Sequence, residues 1–391
     1  VTASTVTVSA AKGYFINTTS NACTITLPSV ATAGDQIILV DYARTWGTNA
    51  ITIDSNGLNF QSSDDTYIVD YDTAGQALNL VYSGATVGWT PSSDIVNAFD
   101  HTAPPTQKGI FAYGDSGGKV SISNLVSSSG VVATDTTGVG TARGYPAAAT
   151  YGGDKAIFGY GYNGSAQVSM SNLVSSSGVV ASDTTGVGTD RSELAASGYG
   201  GDKAIFGYGH SGSDIATTNL VSNSGVVASD VGGVGTGRSK LAATAYGTDK
   251  AIFGYGYNGS NVSLTNLVSN SGVVAADVTG VGTARREIAA TSYGTDKGIF
   301  GYGLTGAYVS MTNLVSNSGV VAADVTGVGT ARRALAATNY GGDKAIFGYG
   351  WNGSNLSMTN LVSNIGVVAT DVSGVGTVRQ ALAAAGYSTS A

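Results

Sequence analysis

From Lys108 onward one phrase recurs six times, Lys-(Ala/Gly)-Ile-Phe-(Gly/Ala)-Tyr-Gly. It begins at Lys108, Lys155, Lys203, Lys250, Lys297 and Lys344, with spacings of 47, 48, 47, 47 and 47 residues. Between these marks come Asn-Leu-Val-Ser, Gly-Val-Val-Ala, Gly-Val-Gly-Thr-x-Arg and an Ala-rich run ending at Tyr. Each unit therefore holds four apolar runs of roughly four to eight residues separated by Gly, Ser and Asn, the pattern of short strands and turns. Helices of about 10 to 15 residues have no room between the runs, and Gly, Val, Tyr and Phe are poor helix-interior residues. The expectation is four strands per unit and almost no helix.

A period in the forties built from four strands is that of a β-propeller blade; a stacked solenoid is the competing architecture. A solenoid needs atypical capping repeats at its ends, and this array has none. The first copy starts at Lys108 without the Arg and Ala-rich run that precede every later copy, and the last copy ends with that run, Arg379 to Tyr387. The expected fold is therefore all-β: a six-bladed β-propeller over residues 108–391, closed by the C-terminal strand pairing into the first blade so that no sheet edge stays open. The small residues of Leu194-Ala195-Ala196 and its equivalents place the Arg-led strand innermost, where a taper leaves least room. Phe158 and Tyr160, two apart, are predicted to share one strand face and pack between blades. The Asp-Lys pairs (Asp154-Lys155 and its equivalents) and the Arg series read as turn and interblade contacts.

Because the six copies share one chain, they can be compared with each other. Two places vary most. After the Tyr-Gly come Asp115, Tyr162, His210, Tyr257, Leu304 or Trp351; around the position after the Arg come Tyr145, Glu193, Lys240, Arg286, Arg333 or Gln380. In an up-and-down blade both places emerge on the same side, while the near-identical Tyr-Gly-x-Asp-Lys and Ser-Asn-Ser-Gly turns occupy the other. Differing loops on a rigid scaffold are a common form of binding surface. Tyr162, Tyr257, Tyr308 and Trp351 are expected to offer flat apolar faces for stacking on a sugar or a protein.

Composition narrows the function. Only 11% of residues are charged and 42% are hydrophobic, which argues for a packed core rather than disorder. No run of about 18 apolar residues suggests membrane insertion, and no targeting segment is visible; a start at Val1 rather than Met fits a processed chain or a fragment. Cys23 is the single cysteine. Residues 1–107 carry Lys12 and Arg44 against nine Asp, and the rest is balanced, so no basic stripe is available for a nucleic-acid backbone. His101 and His210 are the only histidines, which argues against a His-based metal site or triad, and no cofactor is implied. Asp115, Glu193, Asp214 and Glu287 lie near the variable side, but mostly in separate copies, and read as solvated charges rather than a glycosidase pair. The reading is a binding protein, not an enzyme.

The run Thr283–Gly319 resembles a kelch repeat: an Arg-led strand, a short turn, an apolar strand ending at small residues and a variable loop. Gly-Tyr-Gly stands where kelch repeats usually show a Gly-Gly pair, and their downstream Trp is missing. The Trp-Asp dipeptide of WD40 repeats is absent. Residues 1–93 lack the repeat and alternate instead, as in Thr24-Ile25-Thr26-Leu27 and Leu78-Asn79-Leu80, which predicts a small β-sandwich or jelly roll followed by a linker at 94–107. From about residue 10 to 90, Thr-x-Thr-Leu-Pro, Ala-Gly-Asp, Asp-Tyr-Ala, Asn-x-Ile-x-Ile and the closing Gly-Trp resemble a module of tailed-phage fibre, spike and head-decoration proteins. That resemblance implies attachment to other virion proteins or homo-oligomer formation at the virion surface, where trimers are common. The whole chain then reads as a virion fibre or spike whose propeller contacts a host-surface glycan or protein. The alternatives are a head or neck decoration without receptor binding, a polysaccharide-cleaving spike, and a cellular surface adhesin.

Overall fold

The computed structural model describes residues 1–63, 69–96 and 106–390. The chain is all-β, with no helix among the described residues, and divides into two units, Val1–His101 and Thr102–Ala391. The expected linker at 94–107 falls largely, and His101 wholly, outside the described residues.

In the first unit the strands are β1 (Thr5–Thr7), β2 (Lys12–Ile16), β3 (Cys23–Thr26), β4 (Gln36–Asp41), β5 (Ile51–Asp54), β6 (Val69–Tyr71), β7 (Gln76–Tyr82) and β8 (Trp89–Val96). They form two four-stranded sheets, β1-β3-β5-β6 and β2-β4-β7-β8. Both sheets feed one core, with Ile25 and Ile53 from the first and Ile16, Leu39, Leu80 and Trp89 from the second. The pairs β1/β3, β3/β5 and β2/β4 are parallel, which departs from the antiparallel order of a jelly roll. The reason lies in the winding. Successive strands from β1 to β5 alternate between the sheets, so each return to a sheet runs in the same direction. Buried Asp41 accepts the backbone N–H groups of Thr45 and Trp46, both at 3.1 Å, and of Gly75 at 2.9 Å, pinning two turns to the end of β4.

The described residues of the second unit form six three-stranded sheets. The first is formed by β9 (Lys108–Ala112), β10 (Ser123–Val126) and, from the far end of the chain, β26 (Ala383–Tyr387). The next two are β11 (Ala147–Tyr151), β12 (Lys155–Tyr162) and β13 (Gln167–Val174), then β14 (Ala195–Tyr199), β15 (Lys203–Gly207) and β16 (Thr218–Val221). They are followed by β17 (Ala242–Tyr246), β18 (Lys250–Gly254) and β19 (Thr265–Val268), and by β20 (Ala289–Tyr293), β21 (Lys297–Leu304) and β22 (Tyr308–Val315). The last is β23 (Ala336–Tyr340), β24 (Lys344–Trp351) and β25 (Asn355–Val362). Strand β26 pairs antiparallel with β9 from Ala383 opposite Ala112 to Tyr387 opposite Lys108. The first strands of successive sheets pack on one another from β11 through β14, β17, β20 and β23 to β26, and β26 packs on β11.

The fourth strand expected in each unit is reduced to isolated bridges, such as Val174 to Val180 and Ser171 to Thr184. The Gly-Val-Val-Ala run and the residues after it meet the sheet edge at two separate bridges, four residues apart on the outer segment. A second correction concerns Phe158 and Tyr160. They do not share a face: Phe158 packs against Tyr113 of the preceding sheet, and Tyr160 against Phe206 of the following one, 5.1 Å between centroids. Tyr160 has φ +63°, and the ladder shifts register between Gly159 and Gly161, so the two-residue alternation is lost at this residue. All six copies repeat this inclined Tyr-to-Phe contact, with rings at 60° to 64°, the last joining Tyr349 to Phe111 at 5.2 Å.

The six arginines of the Gly-Val-Gly-Thr-x-Arg motif, Arg143, Arg191, Arg238, Arg285, Arg332 and Arg379, are fully buried. Arg238 donates through Nε to the Tyr255 carbonyl (3.0 Å), through Nη1 to the Thr236 carbonyl (3.3 Å) and through Nη2 to Asn266 Oδ1 (2.7 Å). Its guanidinium lies 4.2 Å from the centre of the Tyr208 ring in the preceding sheet. Asn266 in turn donates to Asp277, whose carboxylate also takes the N–H and hydroxyl of Thr236. The motif Gly-Val-Gly-Thr-x-Arg is thus the connector that fastens one sheet to the next, consistent with the reading of the Arg series as intersheet contacts. The Asp-Lys pairs lie at the turns between first and second strands, as in Asp249 and Lys250 at 2.9 Å. There the amide of Gly200 donates to the carbonyl of Asp249 in the next sheet, and the same link recurs from sheet to sheet.

Candidate functional site

In each copy the second strand leaves its ladder at the left-handed Tyr, and the glycine after it also has a positive φ, +108° at Gly209. A Cβ on Gly209 would stand 2.8 Å from the carbonyl oxygen of Ser192, so only glycine lets the two variable segments approach. They do approach. Bridges join Asp115 to Gln380, Gly144 to Tyr162, Ser192 to His210, Ser239 to Tyr257, Arg286 to Leu304 and Arg333 to Trp351. The two variable places of the sequence are therefore neighbours in space in every copy.

Next along the chain are Tyr145, Glu193, Lys240, Glu287, Ala334 and Ala381, all left-handed with φ between +52° and +58°. Each amide of this set donates to the carbonyl of the preceding member, at 2.7 to 3.2 Å, and Tyr145 donates to Ala381. Six backbone hydrogen bonds thus run from member to member and return to their start. Directly after these residues come Pro146, Leu194, Leu241, Ile288, Leu335 and Leu382, which with them line a cup of about 100 Å³. Four of the six rim side chains are large and polar, and two are methyl groups, so the cup is asymmetric. A larger cavity of about 410 Å³ opens on the Asp-Lys side, lined by Ala, Thr, Ser and Gly of the first strands and by Thr106.

Charges on the variable side are paired. Asp115 bonds Lys119; burial pushes its carboxyl up, but the hydrogen bonds from Lys119 and Gly117 outweigh this and leave it below the usual range. Glu287 takes Arg333 Nη1 on both oxygens, at 2.6 and 2.8 Å. His210 Nδ1 sits 3.2 Å from Asp214. The pair Glu193 and Lys240 is looser, with 3.7 Å between its charged atoms. Burial pushes Glu193 above the ordinary carboxyl value, with Lys240 opposing and Glu287 adding to the shift. Burial also pushes the Tyr145 hydroxyl up to about 12, reinforced by the nearby Glu287 and Glu193.

Two of the four aromatic residues expected to offer bare faces, Tyr162 and Tyr257, carry a cation over the ring. Lys119 lies 5.7 Å from the Tyr162 ring and 5.8 Å from that of Tyr145. Tyr257 is flanked by Arg286 at 5.0 Å and Lys240 at 5.6 Å. Tyr308 pairs with Leu304 across its hairpin, and Trp351 with Asn355. All are half-buried. The cations over Tyr257 come from the neighbouring variable positions Lys240 and Arg286, and the one over Tyr162 from Lys119, four residues after the variable Asp115.

Sequence comparison between copies found the rim but missed the cup beneath it. The invariably apolar residue that follows each rim position was the available signal. Lys119, Asn261 and Asn355 were also missed; Asn261 accepts from Arg286 at 2.9 Å and fixes that side chain. Among the described residues no three His, Cys, Asp or Glu side chains gather as metal ligands. The chain matches no protein-family model, and no curated protein matches it in sequence.

Proposed function

We propose that this chain is a virion surface protein of the fibre or spike kind. In this reading residues 108–391 form a closed six-bladed propeller, the variable side of which binds a host-surface glycan, and the first unit attaches to other virion proteins or assembles with copies of itself. One observation carries the binding assignment: the two sequence-variable stretches of all six copies lie side by side around one asymmetric cup, whereas the opposite turns repeat almost unchanged. Repetition would suffice for a scaffold; the difference between copies is greatest where a partner could read it. Two further facts support the arrangement. Strand β26 shares a sheet with β9, and the rim hydrogen bonds return to their start. The second unit's described chain begins on the Asp-Lys side, where Thr106 accepts from Asn339 Nδ2 and the Gln107 amide donates to the Ser388 carbonyl. The phage-like pattern of the first unit supports the virion location.

Purified protein should adsorb to cells or envelope glycans of its host, and Trp351→Ala combined with Tyr257→Ala should weaken adsorption at least tenfold. Absence of adsorption to every host envelope fraction would overturn the binding assignment and favour a decoration role.

A further inference from the structure

The cup on the variable side has features that name a ligand class, on the footing that this side is a glycan-binding surface. Its volume of about 100 Å³ is far below the roughly 300 to 1,000 Å³ of pockets that enclose a whole small molecule, so it is sized for a substituent. The wall is aliphatic, formed by Pro146, Leu194, Leu241, Ile288, Leu335 and Leu382. On the rim, the hydroxyl of Tyr145, the carboxylate of Glu193 and the ammonium of Lys240 make no side-chain hydrogen bond among the described residues. The 3.7 Å between Glu193 and Lys240 contrasts with the bidentate closure of Arg333 on Glu287. A half-buried ion pair held loosely at 3.7 Å and a hydroxyl without a hydrogen bond, beside an apolar recess, favour a ligand that supplies both kinds of contact.

We infer that this cup receives the acetamido group of an N-acetylated amino sugar. Its methyl enters the aliphatic recess, its N–H donates to Glu193 and its carbonyl accepts from Lys240 or Tyr145. The rim charges balance, with Glu193 and Glu287 against Lys240 and Arg333, so a neutral substituent is preferred over an ionised one. A uronate would meet two carboxylates, and a free amino sugar would bring a cation with nothing to fill the recess. Ala334 and Ala381 leave the open side through which the sugar ring lies outside the cup, toward the loops of Trp351 and Asp115.

Saturation-transfer NMR on the full chain tests this with N-acetylglucosamine, N-acetylgalactosamine, glucosamine, glucose and glucuronate. The acetyl methyl should receive the strongest transfer, and the three sugars lacking it should give less than a tenth of the signal. Lys240→Met should reduce the acetyl signal at least fivefold. Ala334→Phe, which fills the cup at a position where Tyr145 shows an aromatic residue is accommodated, should abolish it; Lys240→Met decides alone if that variant does not fold. Equal transfer from glucose, or acetyl transfer unchanged by either substitution in folded protein, overturns the inference. Host adsorption that N-acetylated sugars do not compete and Lys240→Met does not alter also overturns it while leaving the proposed function standing. Acetyl transfer without any host adsorption supports the inference and removes the proposed function.

Discussion

Replacing Arg238 by Met tests whether the buried arginines hold the sheets together. Met keeps an apolar stem but removes the guanidinium, leaving the Tyr255 carbonyl and Asn266 Oδ1 without their donors at 3.0 and 2.7 Å. Each orphaned buried acceptor costs about 1 to 3 kcal/mol. The cation lying 4.2 Å from the Tyr208 ring adds about 2 kcal/mol in a site without water, and Asp277 loses the charge 3.9 Å away. Against this stands the relief of no longer burying a cation, so the net should fall within the roughly 3 to 5 kcal/mol seen when one partner of a buried pair is removed. Guanidinium chloride unfolding followed by near-UV circular dichroism, which reports the packed tyrosines, should show a loss of about 4 kcal/mol. Arg238→Lys should recover little of it, because a point charge cannot reproduce a fork that meets three acceptors. A loss below about 1 kcal/mol for Met, or wild-type stability for Lys, would refute the argument.

Two neighbouring glycines should respond differently to alanine. At Gly254 the new Cβ would meet the Phe300 ring at 2.7 Å, a contact the first copy already accommodates with Ala112, where Tyr113 and Phe158 stand 5.4 Å apart. At Gly256, φ is +109° and the Cβ would lie 2.7 Å from the Ser239 carbonyl, so thermal unfolding should show about 1 kcal/mol lost for Gly254→Ala and about 3 for Gly256→Ala. Acid should unfold the second unit through its six connector aspartates. Burial raises Asp277 and its equivalents, but hydrogen bonds from Thr and Asn bring them below 3.8, so the stability they provide is present above pH 3.8 and is lost as pH falls through their lowered values. Glu193 has the opposite sign: its raised value makes ionisation costly in the fold, so Glu193→Gln should raise the melting temperature at pH 7, and the gain should vanish below 4.5.

The repeat made much of this legible. Five of the six sheets could be drawn from the spacing of Lys-x-Ile-Phe, and the pairing of β26 with β9 from the run missing before Lys108 and present after Arg379. What the pattern hid were departures from alternation. Tyr160 adopts a left-handed backbone although nothing in a tyrosine announces it, and that single residue sends Phe158 and Tyr160 to opposite neighbours. The same holds at Tyr145, Glu193, Lys240, Glu287, Ala334 and Ala381, four kinds of side chain with one backbone shape, so the hydrogen-bonded rim and its cup could not be read from composition. Variability among copies was visible because residues facing solvent are free to differ; the cations that cover Tyr162 and Tyr257 were not, since Lys119 and Arg286 reach them only across neighbouring segments. In the first unit, alternation gave the two-sheet core but not the direction of its strands, because parallel and antiparallel neighbours bury the same faces.

Amide hydrogen exchange on the chain from Ala383 to Tyr387 bears most directly on the claim that the second unit closes on itself. Paired with Lys108–Ala112, these amides should exchange as slowly as those of Ala195–Tyr199, an equivalent strand in the middle of the array. Exchange at the rate of a frayed terminus, with Lys108–Ala112 equally unprotected, would show an open array and remove the common surface on which the binding assignment stands.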